Sequence, residues 1–225
     1  MILFLIFFLF VFVLPKFWLS NAMKKNDEEL MNMPFTAEEF GQIILKENNL
    51  SDVKIEETEQ VDHYDLHDKT VRVQQGRLAK KSLTSLTIIC HEIGHAIQHK
   101  EEYGPLVRRT SLVERTQWIS KFGGVILYSG LPLILATGSF GLIKVCLLFV
   151  LISVLLGVFI HLITLNVEID ASFNRAMPIL EEKIPSEYHS QCKNVLQAAA
   201  YTYVIGALTS FLSLRYIWLL LSRVR

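Results

Sequence analysis

Four stretches of this chain are long and apolar enough to lie across a lipid bilayer: Met1–Leu19, Trp118–Thr137, Leu142–Leu165 and Val195–Leu221. No other feature limits the fold as much. A bilayer core of about 30 Å takes roughly 20 apolar residues as helix. Lipid offers the backbone no water to bond, so a single-chain span of this kind is helical. Leu142–Leu165 is the clearest of the four. Trp118–Thr137 is interrupted by glycines and Pro132, which membrane helices tolerate better than soluble ones. Val195–Leu221 carries Arg215 and several hydroxyls, which suits a helix packed on other helices. Met1–Leu19 also admits reading as a signal peptide, with Ser20-Asn21-Ala22 as a cleavage site. It lacks a basic n-region, and Lys16, Lys24 and Lys25 lie at or beyond its end, so an uncleaved span is favoured.

These stretches account for the 51% hydrophobic content and the mean hydropathy of +0.35. The formal net charge is zero, which offers nothing to nucleic acid. Cys90, Cys146 and Cys192 are scattered and odd in number, so neither a disulfide scaffold nor a metal knuckle is expected.

The largest polar region runs from Met23 to about Arg115. Thr36-Ala37-Glu38-Glu39 has the capping-box pattern and opens a helix with Phe40, Ile43 and Ile44 inward, ending near Asn48-Asn49. Val53-Lys54-Ile55-Glu56 and Val71-Arg72-Val73 alternate, which predicts short half-buried strands. His63 to Lys69 reads as a strand and then a turn. Leu83 to Glu102 has no proline and one glycine, and can be a single helix. Leu86, Ile89, Cys90, Ile93 and Ile97 recur on one side of it, which buries that side and leaves the opposite one at a core edge.

That helix contains His91-Glu92-Ile93-Gly94-His95, an HExxH box. Four residues make just over one turn, so both imidazoles leave one face and can grip one metal ion. Glu92 stands where a carboxylate can take a proton from the attacking water. The bland alternative is a helix with two satisfied histidines. A catalytic zinc site usually has three protein ligands. Gln98 and Glu101 stand where a metzincin would need glycine and histidine, and His99 reads as a neighbour or a surface histidine. The third ligand must come from afar. Glu168 and Asp170 follow the third apolar stretch, where acidic residues are costly unless paired or metal-bound. They lie about 200° apart on a helix, so one binds and the other supports. His161 shares the Glu168 face two turns deeper and reads as a satisfied span histidine.

Four segments together resemble a known family: Asp62-His63-Tyr64-Asp65; His91 to Gln98; Leu165 to Ser172 with Arg175-Ala176; and Val195 to Val204. The chain resembles the YugP-like neutral zinc metallopeptidases of bacterial membranes over nearly its whole length. It departs from their pattern at Leu66 and Asn166, where proline is usual. That family is similar to membrane gluzincins of the HtpX and CAAX-protease type, in which a glutamate on a later helix completes the site. The resemblance implies Glu168 as third ligand. Those relatives carry a supporting aspartate four residues after the ligand, where this chain has Ser172.

The expected fold is α+β, mainly α, with about four transmembrane helices. A small zincin-like domain would hold a helix, a short antiparallel sheet and the HExxH helix. The expected organisation is a first span at 1–22, the catalytic domain at 23–117, spans two and three at 118–165, a polar segment completing the site at 166–194, and a fourth span at 195–225. The segment 166–194 is too short to fold alone and should pack on the earlier domain. Two spans between the polar regions put both on one membrane face. Lys16, Lys24, Lys25, Arg108, Arg109, Arg115 and Lys121 flank the first, which the positive-inside rule makes cytoplasmic, in a bacterial cell membrane if the resemblance holds. Arg223 and Arg225 then fall outside.

The expected function is zinc-dependent cleavage of membrane or membrane-proximal proteins. His91, His95 and Glu168 would hold one Zn2+, with Glu92 as general base. Asp170, Arg175, His63, Tyr188 and His189 are candidates for supporting the site or the oxyanion. A substrate peptide could add to a strand edge near Val53–Glu57. The partners are then a protein or peptide substrate and the lipid bilayer. The rival readings are a non-catalytic metal-binding scaffold or transporter component, and a zinc hydrolase released outside the membrane.

Overall fold

The computed structural model describes residues 14–130, 133, 134, 136 and 139–223. The protein is mainly helical with one small sheet. It divides into two compact units, Met1–Leu106 with Asn166–Thr202, and Val107–Leu165 with Tyr203–Arg225.

In the first unit, helix α1 covers Leu14–Lys25. The possible cleavage site Ser20-Asn21-Ala22 lies inside it, and Ala22 is buried. The chain just beyond it is tied down: the Met23 carbonyl accepts from Thr84 Oγ1 at 2.7 Å, and Asp27 accepts from Lys80 at 2.6 Å. Most of the Met1–Leu19 stretch lies outside the described residues.

Helix α2, Ala37–Glu47, has the expected capping box between Thr36 and Glu39. Phe40 and Ile44 face the core as expected. Ile43 does not: it is 40% exposed, and Gly41 and Leu45 are buried instead. One residue is 100° of a helix, so a buried stripe that holds both 40 and 44 turns 43 outward if it widens through 41 and 45. Gly41 lets α2 approach closely, since a Cβ there would lie 2.6 Å from the end of the Ile89 side chain, which would have to shift.

Among the described residues, strands β1 (Lys54–Thr58), β2 (His63–Asp65) and β3 (Thr70–Gln74) form one sheet in the order β1-β3-β2. The strands lie where the alternation predicts them. The sheet is mixed rather than antiparallel: β2 pairs antiparallel with β3, but β1 runs parallel to β3. Asp62 accepts the Gln74 backbone N–H at 2.7 Å. This draws the β1–β2 connection across the end of β3 and delivers β2 to its far side. Asp65 then closes the β2–β3 turn by accepting the backbone N–H groups of His67 and Asp68.

Helix α3, Leu83–Lys100, starts at Ser82, whose hydroxyl accepts the Ser85 N–H. It is buried nearly all round rather than on one side, with Thr84, Thr87, Ala96 and Gln98 as enclosed as Leu86, Ile89 and Ile93. Its second cover comes from the far end of the chain. Helix α5, Phe140–Ile169, ends in a π-helical segment, Asp170–Ala176, followed by α6, Met177–Lys183. The core joins Leu86, Ile89 and Ile93 of α3 with Phe40 and Ile44 of α2, Val71 and Val73 of β3, and Leu180 of α6. The polar segment after residue 165 belongs to the same compact unit as residues 1–106. Past a short 3₁₀ turn at Ser186–Tyr188, helix α7 runs from His189 to Arg223.

The second unit holds most of α4, Gly104–Val125, which passes into a π-helical turn at Ile126–Gly130, together with the body of α5. Gly123 faces Ser153, and the space a side chain at Gly206 would need is taken by His161. The sequence predicts four membrane-crossing helices. Among the described residues one is long and apolar enough, Gly141–Lys183, which contains the third predicted stretch. The second stretch is partly outside the described residues, and its helix α4 begins with charged turns carrying Arg108, Arg109, Glu114 and Arg115. In α7 the apolar run begins after Lys193, and the side chains beyond 208 are outside the described residues.

Candidate metal centre

Helix α3 places His91 and His95 one turn apart on one face, with ring centroids 4.8 Å apart and planes at 80°. Glu168 comes from the last turn of α5. Its Oε2 lies 3.2 Å from His91 Nε2 and 3.6 Å from His95 Nε2. One ligand atom from each residue lies within 4.8 Å of the other two. This approach depends on Gly94, because a Cβ at that position would sit 2.8 Å from the Ala171 carbonyl oxygen.

The outer ring nitrogens are also held. Ser172 Oγ is 3.1 Å from His91 Nδ1, and Gln98 Oε1 is 3.0 Å from His95 Nδ1. Two imidazole nitrogens and a carboxylate oxygen converge, and each imidazole is anchored at its other nitrogen. That donor set fits a zinc ion with an open fourth position.

Glu92, next to His91, is 7% exposed. Burial pushes its carboxyl above the ordinary carboxylate range, Glu168 and Asp62 add to this, and the two histidines oppose it. Burial disfavours a charge on His95, but the Glu168 carboxylate outweighs it and raises that imidazole to about 9.

Asp170 faces away from the convergent atoms, as two positions about 200° apart on a helix must. It accepts from Gln98 Nε2 at 2.8 Å, Arg175 Nε at 2.6 Å and Asn174 Nδ2 at 3.0 Å. Arg175 also reaches Glu101 at 2.8 Å and lies over the Tyr103 ring. His63 Nδ1 meets the Val61 carbonyl, and His189 Nε2 meets that of Ile184, each at 2.8 Å. Tyr188 packs half-buried against the core. His99 is not among the convergent residues: its Nδ1 lies 3.0 Å from the Tyr64 hydroxyl. Burial, aided by Asp52 and Asp65, holds that phenol up at about 12, so it keeps its proton and can donate it to His99.

Two residues around the centre were not legible as its partners. Gln98 stands three positions after His95, a spacing that puts side chains side by side on a helix. Ser172 stands four after Glu168, one helical turn on, which brings its hydroxyl to the His91 ring.

A relative from Bacillus subtilis (strain 168), "Putative membrane protease YugP", is 33% identical over 214 residues, which are 92% of each chain. No solved structure matches. The family model described as "Putative neutral zinc metallopeptidase" matches residues 1–222, and the chain belongs to that family.

Proposed function

We propose that this protein is a membrane-embedded zinc metalloendopeptidase of the gluzincin type that cuts membrane or membrane-proximal proteins. The observation that carries the reading is the convergence of His91 Nε2 and His95 Nε2 on Glu168 Oε2, at 3.2 and 3.6 Å. His91, His95 and Glu168 hold the metal. Bound there, zinc would polarise the scissile carbonyl and bring the pKa of water towards about 7. Glu92 takes the proton of the attacking water and passes it to the leaving amine. Its burial supports this, since burial raises the carboxyl above its ordinary range and makes it a better proton acceptor than an exposed glutamate. Arg175 is committed to Asp170 and Glu101, so it supports the site rather than meeting the oxyanion. Tyr188, and the second ring nitrogens of His63 and His189, remain candidates for that contact.

The catalytic unit stands on the cytoplasmic face of a bacterial membrane in this reading. The bases flanking residues 23–115 support that side. Residues 1–106 and 166–202 form one compact unit, so the chain between them must return to the face it left.

Glu92→Gln tests the mechanism. The purified variant should keep stoichiometric zinc and lose cleavage of an unfolded or membrane-protein substrate. Undiminished cleavage would sink the proposal. Stoichiometric zinc with no hydrolysis by the unaltered protein would favour a metal-binding scaffold instead.

A further inference from the structure

We infer that Gln98 is a positioning residue that fixes the orientation and tautomer of His95, under the control of Asp170. The inference rests on the metal-site reading above and extends it to the residues behind the ligands.

An amide side chain has one acceptor end and one donor end. The donor end of Gln98 is not free to turn. Its Nε2 lies 2.9 Å from the Val167 carbonyl and 2.8 Å from Asp170 Oδ2, and both are acceptors only. Turning the amide over would aim its oxygen at two oxygens. Gln98 is fully buried, so no water is at hand to relieve that clash. The acceptor end therefore faces His95 Nδ1, at 3.0 Å. A nitrogen facing an acceptor must carry the proton, so His95 holds its N–H on Nδ1. In the neutral ring the lone pair is then on Nε2, the atom that points to Glu168.

Asp170 holds the amide in this sense. Its carboxylate also accepts from Arg175 Nε and Asn174 Nδ2, so its own oxygens are pinned. The Val167 carbonyl and Asp170 flank the ligand Glu168 in sequence. One glutamine thus ties the second histidine of α3 to the backbone and side chain on either side of the third ligand. The arrangement sets the distance between the two halves of the site as well as the tautomer.

The experiment is zinc and Co2+ titration of the full-length protein in detergent, with Gln98→Met and Asp170→Asn. Gln98→Met keeps roughly the volume and loses both ends of the amide. It should weaken zinc about 10- to 100-fold, the range found for partners one step behind metal ligands. It should also alter the visible absorption bands of bound Co2+, which a change confined to stability would leave alone. Asp170→Asn retains the Val167 anchor and should give a smaller loss of the same kind. It also serves if Gln98→Met does not fold, as read from thermal unfolding of the metal-free proteins. Wild-type affinity and Co2+ bands in the folded variants would overturn the inference and leave the zinc-peptidase reading standing. A wild-type protein that binds no zinc would overturn both.

Discussion

His95 makes the site sensitive to pH in a definite direction. Its imidazole in the folded, metal-free chain is raised from an ordinary 6.5 to about 9, because Glu168 outweighs the effect of burial. A raised pKa means that the folded chain holds the proton more tightly than the unfolded one. The stabilisation is therefore fully present below about pH 6.5 and is lost as pH rises through about 9. Thermal unfolding of chelated protein should show its melting temperature falling across that interval, and His95→Gln should remove the slope. Zinc must displace the same proton, so loading at neutral pH should release it to the buffer, as calorimetry in buffers of different ionisation enthalpy would detect. His91 is held differently, by the neutral hydroxyl of Ser172. Ser172→Ala should weaken zinc about tenfold in a chelator competition, with His91→Ala far worse. An unchanged affinity in Ser172→Ala would show that this hydroxyl does not orient the ring. At this scale the sequence was readable where the chemistry was local. His91, Glu92 and His95 follow from helical spacing alone. Spacing could separate Glu168 from Asp170 but could not choose between them, because the choice depends on which way α5 faces when it meets α3.

Helix α3 meets the π-helical segment Asp170–Ala176 through a glycine. At Gly94 a Cβ would lie 2.8 Å from the Ala171 carbonyl oxygen, and a backbone atom cannot swing aside as a flexible side chain can. Gly94→Ala should therefore push the π-helical segment off α3, costing about 1–3 kcal/mol, the usual range for overpacking. It should also weaken zinc, since Glu168 and Ser172 are placed by the same approach. Denaturant unfolding and zinc titration measure the two effects. A variant as stable and as tight as the parent would mean that the contact is looser than this geometry. The π-helical turn itself was not foreseen, and no local signal in Asp170–Ala176 announces it. The strands were legible from alternation, but their pairing was not. Alternation reports which face is buried and says nothing of the neighbour, so a parallel β1–β3 pair and an antiparallel one look alike. Ile43 failed for a related reason, since the width of a buried stripe depends on what covers it.

The molecule as a whole builds its site from distant parts of the chain. Gln98 and Asp170 are 72 residues apart, and His91 and Ser172 are 81. A metal ion held by both parts would act as a cross-link of the first unit. At free zinc a hundred times its Kd the folded state should gain about 2.7 kcal/mol. Chelation should therefore lower the melting temperature of the parent and leave that of His91→Ala unmoved. In the proposed reading both parts also share one membrane face, since residues 1–106 and 166–202 form one unit. Cysteines introduced by Glu59→Cys and Glu187→Cys, both at exposed positions, should label from the same side of a sealed vesicle. Labelling from opposite sides would refute the shared face. The sequence by itself determined the long apolar helix, the α3 helix with the two histidines of its HExxH box, and the carboxylate beside them. Each of these depends on a repeat of only a few residues, and such repeats are written in the chain directly. Only the tertiary structure decided that Glu168 turns to the histidines while Asp170 turns to Gln98, and that Ser172 and Gln98 hold the outer nitrogens. Those contacts arise when two segments far apart in sequence pack at a fixed angle, and no local period encodes that angle.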